Sequence, residues 1–588
     1  MAPCWIEVTR PGNAASVDEE LRADCAVLNR SLGLVKAGIA RGEPSPLITP
    51  ASKTNAWKRN GNMSQARPAI PNSARRGTHV LSVFALTLGA AVILRYNSFF
   101  PSVIDSDESL YAVIAQHWLR GELPYRATWD QHSIGLPALF AAIEFLFGDS
   151  IAAIRIGACI AVAAAATAIY FTSLRLDRHR IAALIAAGFY VAWTTRWWGF
   201  PANCELYLNA LTIPSLLIVL SELSIGTDPV RKLKRYSLAG LLLGIAIQVK
   251  QVTVAETALL LFTMIATADR RWRIKTFFLT TLCIGFPTAL AVAYFWANGL
   301  LAEYFRAVVL SNLIYATSYP GASQLLARLP HSFIFPIGLA ILASLLIWKR
   351  PTRRHALVVA WTGAAAVDLI LPGQFWPHYF LLLLPGASIL TGYLVHRLAT
   401  DWTWKNGHPR WAALTMLIAA IVAFNPLGIY RDTAKIRAFT RDDVAREIAD
   451  RIKARISPAA TIFVFNYQPI IYFLVGSALP TDHVLPADWG RQFAAATGVH
   501  PLKAVQAVFA KKPAFVVVAE SDSLQVDAKA EAAFRGYLSA YKPEFQVVDD
   551  LSMPEPVTIK VYRRAPALTA PPDPDRSVGA DVSESVER

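Results

Sequence analysis

VIDSDESLYAVIAQHWLRGELPYRATWDQHSIGLP, residues 103–137, is the most polar stretch inside an otherwise membrane-like region, and it carries Asp105, Asp107, Glu108, Asp130 and His132. Apolar runs flank it, Thr78–Tyr96 upstream and Ile151–Leu174 downstream, each with the length and composition of a membrane-spanning helix. The polar segment runs on to Asp149 and is roughly 50 residues long, far beyond the few residues an ordinary connection uses. It lacks a linker's composition, and loops of that kind usually carry function. This one parks acid groups at a membrane surface.

Composition agrees with a bilayer protein. Of the 588 residues, 54% are hydrophobic and 17% charged, against about 25% charged in soluble domains. Sixteen tryptophans and nineteen tyrosines suit two aromatic belts. The net charge of +15 sits in short clusters between apolar runs, as orientation signals do, and forms no continuous stripe. That distribution argues against a nucleic-acid partner. Cys4, Cys25, Cys159, Cys204 and Cys283 are scattered without metal-ligand spacing, so no disulfide framework is expected. Residues 1–30 lack the apolar core of a cleavable signal peptide.

Spans follow from the need for about 20 apolar residues. Candidates are 79–95, 151–174, 181–198, 205–224, 276–297, 331–348, 355–371, 377–398 and 411–430. The run 237–267 is too long for one ordinary span and holds Lys250-Gln251 near its middle, so it divides there into two short helices. An α-helical polytopic protein with about eleven spans results. Charge tests the count. With the N-terminus inside, RLDRHR (175–180), RKLKR (231–235), RRWRIK (270–275), KRPTRR (349–354) and the Lys405/His408/Arg410 stretch all fall on the cytoplasmic side. The same parity sends 103–149, the turns near Asn203 and Lys250, the 298–330 loop, Trp376-Pro377-His378 and the C-terminal region to the external face.

Outside the 78–430 membrane region, residues 1–77 mix Arg, Lys, Pro, Ser and Asn with little periodicity and read as a disordered cytoplasmic extension. Met63, shortly before the first span, is an alternative start. Residues 431–565 read as a small external α/β domain. DDVAREIADRIKARI has helical periodicity with acids early and bases late, and TIFVFN, AFVVVAE, FQVVDD and VTIKVYRR read as strands. The tail, 566–588, is rich in Pro, Asp and Ser and reads as disordered.

Several residues admit two readings. Asp105, Asp107 and Glu108 precede a helical run, so Ser106 or Asp107 serves as an N-cap worth about 1 kcal/mol, or the acids form a site. Three carboxylates within four residues exceed what a cap needs. Leu110, Val113, Ile114 and Trp118 share one side of that run, which predicts an amphipathic helix at the interface. His132 is an interfacial loop histidine or a phosphate contact. Lys250 either snorkels at the turn of a hairpin or contacts phosphate. Glu205 is a helix-start acid or a site acid. His378 and Tyr379 belong to the aromatic belt around Trp376 or to the site.

A family resemblance bears on these choices. Asp107-Glu108-Ser109-Leu110-Tyr111, Gly121 with Pro124-Tyr125, Trp129-Asp130, Gly135-Leu136-Pro137, and Phe147-Gly148 with Arg155 together resemble the first external loop of GT-C glycosyltransferases. The branch they resemble is family 39, with the protein O-mannosyltransferases and the lipid A aminoarabinose transferase. Asn203-Cys204-Glu205-Leu206-Tyr207, GLLLGIAIQVKQ (240–251) and GQFWPHYFLLLLPG (373–386) extend the resemblance over residues 79–430.

The resemblance implies an inverting transferase in the bacterial inner membrane. It would use a polyprenyl-phosphate-linked sugar at the external face, with a lipid, glycan or protein acceptor. It implies Asp107 as general base, with the adjacent Glu108 as its partner, orienting a substrate or sharing a proton, in a catalytic loop over 97–150. Substrate contacts then fall to Tyr111, Asp130, His132, Glu205, Lys250, His378 and Tyr379, and Asp105, which has no clear counterpart in the family, joins them by its place beside Asp107. Relatives commonly carry Lys-Pro where this chain has His132-Ser133, which makes Lys250 the natural substitute at the lipid phosphate, with Arg196 a second candidate. A divalent cation held by Asp107 and Glu205 is an open option. Two rivals stand beside the transferase: a transporter or flippase of polyprenyl-linked glycans, and a polysaccharide polymerase or ligase. A transporter would spread ionisable residues through the depth of the spans. A polymerase or ligase would keep key arginines and a histidine in a late external loop, where 298–330 offers only Glu303, Arg306 and Arg328.

Overall fold

A computed structural model describes residues 72–196, 199–223, 228–317, 327–349, 351–406, 426–457, 460–490, 494–520, 526–552 and 556–565. The expected extension over 1–71, most of the 411–430 span and the tail over 566–588 lie outside the described residues.

Helices occupy most of the expected apolar runs among the described residues, though the run 377–398 opens with a 3-10 turn and its α-helix begins at Leu384. In chain order they are α1 (Asn72–Arg95), α2 (Ser106–Leu119), α3 (Gly135–Phe147), α4 (Ile151–Asp177), α5 (Arg180–Trp193), α6 (Cys204–Ser221), α7 (Pro229–Val249), α8 (Val254–Thr267) and α9 (Arg273–Ala297). After two short helices, α10 (Leu301–Phe305) and α11 (Ser311–Thr317), come α12 (His331–Lys349), α13 (Arg353–Ile370) and α14 (Leu384–Asn406). Among the described residues, five helices are long and apolar enough to cross a membrane: those over 77–99, α4, α6, α9 and α12. The run 237–267 breaks at Lys250, as its length predicts, into α7 and α8.

Packing of these helices depends on small residues and local caps. Gly240 and Gly244, one turn apart on α7, lie against α9. A Cβ on Gly244 would stand 2.3 Å from the Ile284 carbonyl oxygen. Small residues at that spacing let helix backbones approach closely. At the other end of α7, a Cβ on Gly135 would stand 2.5 Å from the Gln248 backbone, so only glycine lets α3 begin there. The N-terminus of α8 is capped from another helix, with Asp368 of α13 accepting from Ala255 N at 2.7 Å and Glu256 N at 3.0 Å.

The C-terminal residues begin with α15 (Pro426–Arg441) and α16 (Val444–Lys453). There follow β1 (Ile462–Phe465), α17 (Ile470–Val475), α18 (Ala494–Thr497), α19 (Pro501–Ala510), β2 (Phe515–Ala519), α20 (Ala528–Leu538), β3 (Tyr541–Asp549) and β4 (Val557–Arg564). The sheet order is β1-β2-β4-β3, with β1 parallel to β2 and the other pairs antiparallel. β1 and β2 are buried at every residue, as expected for apolar parallel strands covered on both faces.

This region closes over α2. Asp443 caps α16 and also accepts from Ser102 N at 2.8 Å. Gln116 Nε2 donates to the Phe473 carbonyl at 3.1 Å, and Arg120 Nη1 to that of Gly476 at 3.1 Å. Protein therefore covers α2 almost completely, with Glu108 through His117 all buried. The amphipathic interfacial helix expected from sequence is corrected to an enclosed one, because α17 covers a face that lipid or water would otherwise meet.

Candidate functional site

Asp105 opens α2. Its backbone is extended (φ −145°, ψ 140°), and its carboxylate accepts from Asp107 N–H at 3.0 Å. The cap expected of Ser106 or Asp107 thus falls to Asp105. Asp107, two residues on, stands in the first turn, where the helix dipole favours a negative charge. Burial holds the Asp107 carboxyl above the usual carboxylate range, while the nearby His132 and Lys250 oppose that shift and Asp130 and Glu205 add to it. Burial and the charge of Asp107 push the Asp105 carboxyl up to about 6, with His378 acting in the opposite sense. The carboxylates from separate segments therefore share one electrostatic neighbourhood.

Three further elements supply that neighbourhood. Glu205 starts α6 and is fully buried; its Oε1 accepts from Lys250 Nζ at 2.7 Å. Lys250 follows directly after α7, and its ammonium lies 3.8 Å from the centre of the Tyr379 ring. Tyr379 and His378 sit on a 3-10 turn over Pro377–Leu382, their rings 4.9 Å apart. Asn209, one turn beyond Glu205, donates to the Leu381 carbonyl at 3.1 Å and ties that turn to α6. A lysine at this depth is costly alone. The carboxylate and the ring face make it a fixed positive centre.

The loop after α2 brings Asp130 and His132. Asp130 Oδ1 accepts from His132 N at 3.2 Å and contacts its Nδ1 at 2.8 Å. Asp130 Oδ2 is buried and has no hydrogen-bond partner among the described residues. Tyr111 meets the His132 ring edge-on at 5.3 Å. Tyr125 holds a left-handed backbone (φ 63°), unusual for a bulky residue. Its hydroxyl donates to the His132 carbonyl at 2.7 Å, and its ring packs on Phe295 and Tyr304, which anchors the conformation.

Glu108 is engaged elsewhere. Arg155 of α4 grips both its oxygens, Nε to Oε1 and Nη2 to Oε2 at 3.0 Å each, and Ala202 N–H adds a third bond at 3.3 Å. Its geometry is that of a buried brace, not of a proton-sharing partner for Asp107. Arg196 likewise pairs with Asp432 at 2.9 Å, apart from the Lys250 cluster.

No family model matches the chain, and no curated protein sequence matches it. Solved structures do. ArnT from Cupriavidus metallidurans bound to undecaprenyl phosphate matches with a TM-score of 0.57 at 13% identity, over 82% of this chain and 98% of that one. The chain has the GT-C fold. The apo state of the same ArnT matches at a TM-score of 0.54 and 14% identity, over 82% of this chain and 98% of that one. The archaeal oligosaccharyltransferase AglB from Archaeoglobus fulgidus, in complex with an inhibitory peptide and a dolichol-phosphate, gives 0.47 at 12% identity, over 80% of this chain and 73% of that one.

The option of a cation shared by Asp107 and Glu205 meets an obstacle. Lys250 already occupies Glu205 Oε1, and an ammonium there repels a second positive charge. Among the described residues, no group of three or more His, Cys, Asp or Glu side chains is placed to hold a metal ion. The donor set therefore does not fit that cation.

Sequence reading missed part of the shell. Tyr315 of α11 accepts from Trp376 Nε1 at 2.7 Å, and Arg328 lies 5.0 Å over the Trp376 ring. Ser133 Oγ donates to Gln248 Oε1 at 2.7 Å and meets Tyr304 Oη at 2.9 Å. No periodicity or spacing links these positions, which lie far apart along the chain.

Proposed function

We propose that this chain is a membrane glycosyltransferase that moves a sugar from a polyprenyl-phosphate-linked donor to an acceptor hydroxyl or amine at the external face of a bacterial inner membrane. The observation that carries the reading is the Lys250–Glu205 pair on Tyr379 beside Asp107, in a chain with the GT-C fold. ArnT, bound to undecaprenyl phosphate in its solved structure, supports a lipid phosphate as the donor's carrier.

The chemistry follows from the groups present. Asp107 takes the acceptor's proton as the acceptor atom bonds to the anomeric carbon, and its raised pKa makes it a stronger base than an exposed carboxylate. The anomeric carbon–oxygen bond breaks on the opposite side, with inversion, and the electron pair passes to the phosphate. Lys250 is the cation that meets that growing charge, and His132 is a further donor. Asp130 Oδ2 accepts a sugar hydroxyl. Asp105 fixes the α2 terminus and sets the charge around Asp107. Tyr111 orients the His132 ring, and His378 and Tyr379 wall the cation.

The test is to incubate the purified protein with a panel of polyprenyl-phosphate sugars and measure release of polyprenyl phosphate. Wild type is expected to release it from at least one donor. Asp107→Asn should lower the rate by about 10²–10⁴-fold with a melting temperature at neutral pH no lower than that of wild type. Full-rate turnover by Asp107→Asn would remove the base assignment. Transport of labelled lipid across vesicles with no bond cleavage would instead identify a flippase.

A further inference from the structure

Residues 129–132 carry the Asp130–His132 pair, yet they lie in a loop and no regular element holds them. Three outside contacts fix the strip. Tyr125 Oη donates to the His132 carbonyl at 2.7 Å, and Asn312 Nδ2 to the Gln131 carbonyl at 2.8 Å. The third comes from the C-terminal region, where Trp129 N–H donates to the Asp482 carbonyl at 2.8 Å. There the imidazole of His483 lies against the Trp129 indole, ring centres 5.3 Å apart and planes inclined by 31°.

His483 is itself clamped. Its Nδ1 is 3.5 Å from Asp488 Oδ2 and its Nε2 is 3.8 Å from Asp482 Oδ2. Trp489 Nε1 donates to the His483 carbonyl at 3.0 Å, and His483 N–H to Thr481 Oγ1 at 3.1 Å. The ring thus sits between the carboxylates of Asp488 and Asp482 and against the indole of Trp129; when protonated, it adds ion pairing and a cation–π contact to that packing. The His483 side chain is 12% exposed and faces the buried Asp488 carboxylate on one side and the 47% exposed Asp482 on the other.

We propose that His483 is a positioning residue for the Asp130–His132 pair, pinning Trp129 so that the adjoining peptide presents both side chains toward Asp107. The C-terminal region is then a wall of the site. The inference rests on the transferase reading for its catalytic meaning, but the placement of His132 can be measured without turnover.

The experiment uses the full chain in detergent and two variants, His483→Ala and His483→Phe. Diethyl pyrocarbonate modification of His132, followed by mass spectrometry, reports how well the pair is held. Modification should quicken severalfold in His483→Ala and stay near wild type in His483→Phe, which keeps a ring on Trp129. With a competent donor, kcat should fall between about tenfold and hundredfold in His483→Ala, as for a small misplacement of a reacting group. KM for the donor should stay within about twofold, and His483→Phe should recover most of the loss. Unchanged modification of His132 in His483→Ala overturns the proposal. So does a lower melting temperature with unchanged kcat per folded molecule, since that marks a staple of the fold only. If wild type releases no polyprenyl phosphate from any donor, the transferase reading fails while the modification rates still decide the positioning role.

Discussion

Asp105 and Asp107 hold their protons more tightly in the folded chain than an exposed carboxylate does, because burial penalises the charged forms and nearby carboxylates add to it, Asp107 for Asp105 and Asp130 and Glu205 for Asp107. The contribution of Asp105 to stability is complete below the ordinary carboxylate pKa of about 4 and is lost as pH rises through about 6, and that of Asp107 is lost in the same sense as pH rises through its own raised pKa. Catalysis runs the other way, since a protonated Asp107 is no base. Release of polyprenyl phosphate should therefore fall on acidification, with a midpoint shared by the two carboxyls. Asp105→Asn keeps the cap but removes a neighbouring negative charge, so it should move that limb to lower pH and raise the thermal midpoint at neutral pH. A pH profile identical to wild type would separate Asp105 from the base. Both acids were legible in the sequence as an excess over capping needs. Which one caps was not, because that choice rests on the backbone angles at residue 105 and on one hydrogen bond.

Among the elements, α2 and α4 are joined by the Glu108–Arg155 pair. Arg155 also donates to the Pro101 carbonyl at 2.6 Å, so one guanidinium fixes both the start of α2 and the chain leading to it. Glu108→Gln removes the charge that compensates a fully buried guanidinium and is expected to cost about 3–5 kcal/mol. The loss should appear as a lower melting temperature, with activity per folded molecule retained. A Glu108→Gln protein as stable as wild type but inactive would return Glu108 to the chemistry. Adjacency to Asp107 suggested a shared proton. Successive helical residues, however, point about 100° apart, and the fold places Arg155 where Glu108 reaches. The division at Lys250 was readable from length alone, because no single span accommodates 237–267.

For the whole molecule, the basic clusters predict an orientation, since all of them share one side if the N-terminus is cytoplasmic and the chain crosses eleven times. In a background with the native cysteines replaced by alanine, Arg126→Cys should react with a membrane-impermeant maleimide in intact cells. Arg178→Cys should react only after permeabilisation, and the opposite pattern would invert the topology. The sequence by itself determined the apolar helices, the break at Lys250, the four strands and the acid-rich loop, since each is a local matter of period, length or charge. Only the tertiary structure decided that Lys250 takes Glu205, that Glu108 takes Arg155, and that His483 reaches Trp129. Those contacts join residues 45, 47 and 354 positions apart. Local pattern fixes what each segment is; which buried charges become partners depends on how the segments pack.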